Sequence, residues 1–157
     1  MFMIEKHPTT ALTFRLATPE DIEAIDFLDS FSNSPTRNIH REMEKYFGSV
    51  DPSTHEYTLI FLAELDGQCC AKVELMLPPS GTPHPVGYIK RVVVHPDYRG
   101  KGLSKALMQH VIQYAHQHCN IEAMDLLVWE NNLPAIQLYE SLGFELQHRE
   151  LYYRLRI

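Results

Sequence analysis

Val92-Val93-Val94-His95-Pro96-Asp97-Tyr98-Arg99-Gly100-Lys101-Gly102-Leu103-Ser104 hands a strand to a helix through a glycine turn, and its reading decides the fold. Tyr88 to Val94 reads as the strand, and His95 to Tyr98 as a turn. Leu103, Ala106, Leu107, Val111, Tyr114 and Ala115 then recur at helical spacing. Gly100 and Gly102 leave backbone N–H groups uncovered, and the helix start adds a favourable dipole for an anion. Arg99, Lys101 and Lys105 gather positive charge here, although the chain carries 14 Lys and Arg against 20 Asp and Glu, a formal charge of −6. The residues alone point to a phosphate or diphosphate site, with a plain tight turn as the structural alternative.

Three phosphate-loop patterns compete for this stretch. A Walker A loop needs Gly-Lys-Ser/Thr, and Gly102 is followed by Leu103. A dinucleotide loop needs a third glycine where Lys105 stands. The pattern Arg/Gln-x-x-Gly-x-Gly/Ala is met by Arg99 and Gly102, with Val94 before them and Ser104 in the final small-residue slot.

That third pattern resembles motif A of the GCN5-related N-acetyltransferase (GNAT) superfamily. Asn132-Leu133-Pro134-Ala135-Ile136-Gln137-Leu138-Tyr139-Glu140-Ser141-Leu142-Gly143-Phe144 is similar to the same family's motif B. Tyr139 on a short amphipathic helix would by itself be read as packing; two motifs in the right order carry the resemblance. It implies an α/β fold with a mixed, largely antiparallel central sheet, flanking helices and a splayed slot for acetyl-CoA. It also implies acetyl transfer to a primary amine of a small molecule or peptide.

By the same resemblance, the backbone of Arg99, Gly100, Lys101, Gly102, Leu103, Ser104 and Lys105 would hold the pyrophosphate, and Val92, Val93 and Val94 the pantetheine arm. An N–H near Val94 would polarise the thioester carbonyl, Asn132 would help anchor the cofactor arm, and Tyr139 would be the general acid. Two family positions that often carry a glutamate fall on Tyr88 and Leu127, neither a base at neutral pH. Glu74, Asp125 and Glu130 stand as nearby carboxylates, with Glu74 read as exposed on the polar face of its strand; no base is assigned. The lack of one motivates a second reading, a catalytically silent acyl-CoA-binding regulatory module. A third is a phosphate-ligand protein of another fold.

The rest of the chain fits around the motif. Thr13 to Ala17 reads as a strand, and Pro19 to Ser30 as a helix with Thr18 as its cap. Pro35 to Phe47, with Ile39, Met43, Tyr46 and Phe47 apolar, reads as a second helix ending at Gly48. Tyr57 to Leu65 is apolar on both faces, and Asp66-Gly67 turns it into an antiparallel partner. Pro78 to Pro85 is a loop, Ala123 to Trp129 a strand, Leu133 to Leu142 a helix closed by Gly143, and Phe144 opens another strand. Leu151, Tyr153, Leu155 and Ile157 alternate with Glu150, Tyr152, Arg154 and Arg156, a final strand pattern.

Length and 45% hydrophobic residues suit one domain over 1–157. The acidic balance argues against a nucleic-acid partner and is compatible with a cationic acceptor. Absent a signal-type N-terminus, a membrane-length apolar run or a Cys-x-x-Cys pair, the reading is cytoplasmic, with no membrane partner. His116, His118 and Cys119 are metal-ligand types without a fourth partner, so no metal is expected. The expected partner is the amine acceptor, with a homodimer as a candidate assembly.

Overall fold

A computed structural model describes residues 11–32, 34–42 and 45–157. It consists of two compact units, 1–127 and 128–157. In the first, five strands form one sheet in the order β1-β2-β3-β4-β5: Leu12–Leu16, Tyr57–Leu65, Gln68–Leu77, Val86–Val94 and Ala123–Asp125. The first four are antiparallel, and β5 joins β4 in parallel. This is the mixed, largely antiparallel sheet that the sequence predicts.

Each turn has a local cause. Asp66 (φ 52°) and Gly67 (φ 81°) both take the left-handed conformation that a two-residue hairpin needs. Before helix α1 (Ile22–Asp29), a 3-10 turn over Pro19–Asp21 is closed by the Asp21 carboxylate, which accepts the Thr18 N–H at 2.8 Å. The Arg15 guanidinium donates to both Asp21 oxygens at 2.7 Å and holds this carboxyl below its ordinary range. Helix α2 spans Leu103–His118 and buries Leu103, Leu107, Met108, Val111 and Ala115. Phe61 packs edge-on against Tyr114 of this helix. Ile25 and Leu28 of α1 join Ile39, Tyr46, Ile60, Leu62 and Val93 in a second apolar cluster.

The expected helix over Pro35–Phe47 is replaced, among its described residues, by turns. Tertiary anchors override the helical spacing: Ile39 and Tyr46 are buried, Arg37 is drawn into the sheet face, and Arg91 Nη2 donates to the Pro35 carbonyl at 2.8 Å. Met43 lies outside the described residues. The strand expected over Ala123–Trp129 stops at Asp125. The strands expected from Phe144 and over 150–157 are not assigned.

Glu74 is a larger correction. It is 0% exposed, as is Lys72, so the supposed polar face of β3 is covered. Arg37 donates to both Glu74 oxygens at 2.6 and 2.5 Å, and Lys72 Nζ donates to Glu74 Oε2 at 2.5 Å. Asp29, at the end of α1, closes the ring: its Oδ2 accepts from Arg37 at 2.9 Å, and its Oδ1 lies 2.6 Å from Lys72 Nζ as an ion pair without hydrogen-bond geometry. Two cations and two anions thus balance inside unit 1–127. Removing one member of a buried set leaves an uncompensated charge. Glu74→Gln is therefore expected to lower unfolding free energy by roughly 3–5 kcal/mol in a denaturant titration; a loss within experimental error would mean the ring contributes nothing net.

Candidate active site

The site grows from an irregularity in β4. Lys72 faces Val93 while Glu74 faces Lys90, so one residue of β3 opposes two of β4. The extra residue is accommodated at Arg91, whose φ is 50°. Lys72 Nζ donates to the Arg91 carbonyl at 3.5 Å, which ties this bulge to the buried ion ring. Already before it, after Tyr88, β4 leaves its other neighbour: β5 pairs only with Val86, Gly87 and Tyr88. Ile89 to Val94 therefore have a strand partner on one side alone among the described residues.

Strand alternation then orients the open edge. The His95 N–H donates to the Cys70 carbonyl of β3 at 2.8 Å. The N–H of Val94, one residue earlier, consequently faces the side where β4 has no neighbour. Val92 and Val94 are half-buried, and Val93 is buried in the core.

The loop after β4 is held by its own side chains. His95 Nδ1 accepts the Asp97 N–H at 3.0 Å and caps a 3-10 turn over Pro96–Tyr98. Its ring packs on Phe27, Phe31 and Tyr98, so its role is structural. Arg99 Nε donates to the Val94 carbonyl at 3.3 Å, and Lys101 Nζ lies 5.4 Å from the Tyr98 ring centre. Gly100 (φ 77°) and Gly102 (φ 72°) are both left-handed, and a Cβ at either would meet nothing within 4 Å. Gly102 begins α2 with no capping side chain, so the first N–H groups of the helix, at Leu103, Ser104 and Lys105, have no intrahelical acceptor. Bare amides, a helix dipole and three cations meet beside an open strand edge. That set fits a diphosphate joined to an extended, hydrogen-bonding arm.

Unit 128–157 carries the remaining candidates. Helix α3 spans Leu133–Ser141, and the side chain of Asn132 caps it by accepting the Ala135 N–H at 3.4 Å. Tyr139 packs edge-on with Phe144, and the Phe144 N–H donates back to the Tyr139 carbonyl at 3.1 Å. Burial pushes the Tyr139 phenol above its ordinary value. Val92–Val94 and Arg99–Lys105 are thus brought together in unit 1–127, while Asn132 and Tyr139 share one short helix in unit 128–157.

Of the carboxylates, Glu74 is consumed by Arg37 and Lys72 and is unavailable as a base. Asp125 ends β5 in solvent, and exposed Glu130 lies 3.3 Å from Arg149. Lys72, Arg37 and Arg91 were missed from sequence; the signal for the first was its place between strands that are apolar on both faces. A separate cavity of about 320 Å³ is lined by Lys45, Tyr46, Thr58, Met76 and Lys90 among others, and burial lowers the Lys90 ammonium there. Among the described residues, no three His, Cys, Asp or Glu side chains are grouped to hold a metal, and no helix is long and apolar enough to cross a membrane.

Known proteins share this architecture. The Acetyltransferase (GNAT) family matches residues 20–144. The glucosamine 6-phosphate N-acetyltransferase of Trypanosoma brucei brucei is 29% identical over 96 residues, 60% of this chain and 63% of that protein. The mycothiol acetyltransferase of Thermobifida fusca is 39% identical over 69 residues, 44% of this chain and 21% of that one. The chain therefore spans less than two thirds of these curated relatives. In fold, it superposes on the aminoglycoside N-acetyltransferase AAC(6')-Iy in complex with CoA with a TM-score of 0.72, at 19% identity, covering 99% of this chain and 100% of that one. Gly102→Asp, which aims a carboxylate at the bare amides, is expected to weaken acetyl-CoA binding at least about tenfold by calorimetry; unchanged affinity would remove the loop from the site.

Proposed function

The chain belongs to the GNAT family of acetyltransferases, and from that premise we propose that it transfers the acetyl group of acetyl-CoA to a primary amine of a small molecule or peptide. The observation that carries this reading is the open edge of β4 running directly into the glycine loop and α2. The N–H groups of Leu103, Ser104 and Lys105, with those of Gly100 to Gly102, hold the pyrophosphate, the Arg99 N–H being spent on the Pro96 carbonyl at 3.4 Å; the edge over Val92–Val94 holds the pantetheine arm. Bound there, acetyl-CoA supplies a thioester with a good leaving group. The Val94 N–H polarises its carbonyl, since a donor fixed in advance costs no reorganisation.

The amine must arrive neutral, and its nitrogen forms the new C–N bond as the C–S bond breaks. Its surplus proton passes to solvent, as neither Tyr88 nor Leu127 can take it and Glu74 is paired. Tyr139 delivers a proton to the departing sulfur, the role that the motif position supports. Because burial raises this phenol, it stays protonated through neutral and mildly alkaline pH. Asn132, besides capping α3, steadies the cofactor arm. Small-molecule amines recur among the relatives: glucosamine 6-phosphate, mycothiol and spermine/spermidine acetyltransferases all match part of the chain.

A second reading, acyl-CoA binding without turnover, draws on the burial of Glu74 in ion pairs. A panel of polyamines, aminosugars, aminoglycosides, amino acids and peptides, followed by CoA thiol release, decides between them. Turnover on at least one amine is expected; tight acetyl-CoA binding with none would favour the silent module. With an accepted amine, Tyr139→Phe is expected to lower kcat by roughly a hundredfold while acetyl-CoA affinity is retained. Because the phenol titrates above its ordinary value, the rate limb owed to Tyr139 should fall only above about pH 10. An unchanged rate in the variant, or a tyrosine limb near neutrality, would remove Tyr139 from the role.

A further inference from the structure

Lys90 stands on β4 without an anion. The residue directly across on β3 is Glu74, whose carboxylate already serves Arg37 and Lys72. Among the described residues, no carboxylate lies within ion-pair distance of Lys90, whose Nζ meets only the Met76 thioether at 3.9 Å. A thioether is a weak acceptor. Burial, with Arg37 and Arg91 close by, holds the ammonium below the ordinary lysine range against the pull of Glu74 and Glu56. A half-buried cation left in this way is costly, and an anion brought to it is held by charge-assisted hydrogen bonds.

The space beside Lys90 has room for one. A cavity of about 320 Å³ lies over the sheet face that carries the ion ring, walled by Thr58 of β2, Met76 of β3 and Lys90 of β4. Residues 45–56 close it and bring Lys45, Asp51 and Glu56 to its lining. Asp51 is already committed: its Oδ1 accepts the Ser53 N–H and hydroxyl, both at 2.8 Å, and these donors hold its carboxyl below the ordinary range. Among the described lining residues, two lysines then face one uncommitted carboxylate, Glu56. The hydroxyl of buried Thr58 adds a neutral donor. A polycation would leave the charge of Lys90 unanswered; an anion answers it.

We propose that this cavity receives the anionic group, a carboxylate or a phosphate, of the acceptor amine, with Lys90 as the residue that selects it and Lys45 beside it at the exposed wall. Lys90 precedes Val92 by two residues, roughly 7 Å along the strand. A small acceptor can therefore keep its anion on Lys90 while its amine lies at the open edge of β4. The amine half of the proposal rests on the acetyltransferase reading; the anion half does not.

Pairs of amines that differ by one acidic group test it: ethanolamine against O-phosphoethanolamine for a phosphate, and alaninamide against alanine for a carboxylate. In CoA-release assays, the acidic member of at least one pair is expected to lead by about tenfold or more in kcat/KM, carried by KM. Lys90→Met should abolish that lead and Lys90→Arg retain part of it, whereas a merely structural lysine would not tie KM to the charge of the acceptor. Lys90→Met breaks no ion pair, so the variant is expected to fold, and the wild-type pairs need no variant. Equal rates within both pairs, a lead for neutral or polyamine acceptors, or a lead that survives Lys90→Met overturns the inference and leaves acetyl transfer standing. Where no amine is turned over, amide shifts during titration with inorganic phosphate or acetate decide. Shifts at residues 45, 58, 76 and 90 that vanish in Lys90→Met sustain the anion site while acetyl transfer falls. Amides unmoved there, or moved alike in Lys90→Met, overturn the site as well.

Discussion

The backbone of Arg91 sets the architecture of the proposed site. Its positive φ inserts one extra residue into β4, and the strand can hold that conformation because the surroundings fix it. Lys72 reaches the Arg91 carbonyl from β3, and the Arg91 guanidinium anchors the Pro35 carbonyl on the other side. Lys72 is itself held by Glu74 and Asp29, and Glu74 by Arg37. The buried ion ring and the bulge are thus one construction. It joins the end of α1 and the segment after it to the central strands, at the level where β4 parts from β5.

Such a ring costs desolvation of four charged groups, and an apolar core of equal volume could be as stable. What charges add here is position. Lys72 pairs with two carboxylates and still contacts the carbonyl of the bulge residue Arg91, something no aliphatic side chain offers. Downstream of the bulge, the open β4 edge, the glycine turn and the first amides of α2 follow in unbroken sequence. An acidic chain can therefore hold a highly anionic ligand, because fixed dipoles and a local cluster of Arg99, Lys101 and Lys105 outweigh a diffuse negative balance.

Much of this was legible in the residues. Gly100 and Gly102 announce positive φ, Asp66-Gly67 announces a hairpin, and the apolar spacing of α2 announces its buried face; each depends on neighbours close in sequence. The bulge was not legible, since arginine carries no preference for positive φ and only the cross-strand register reveals the extra residue. Lys72 and Glu74 alternate with apolar residues as a solvated face would, and only the packing of α1 and residues 34–42 against β3 turns that face inward. The helix pattern of Pro35–Phe47 yielded to anchors on Arg37, Ile39 and Tyr46. The alternation of 151–157 reads as a strand, yet no strand is assigned there; alternation records which residues are apolar and carries no information on a pairing partner.

The proposed site stands if the open edge of β4 and the glycine loop together receive acetyl-CoA. Backbone amide shifts recorded by NMR during an acetyl-CoA titration test it most directly. Perturbations are predicted to concentrate at residues 92–94 and 99–105, with the Val94 amide among the largest. Shifts confined to the cavity beside Lys45 and Lys90, with Val94 and the glycine loop unmoved, would contradict it.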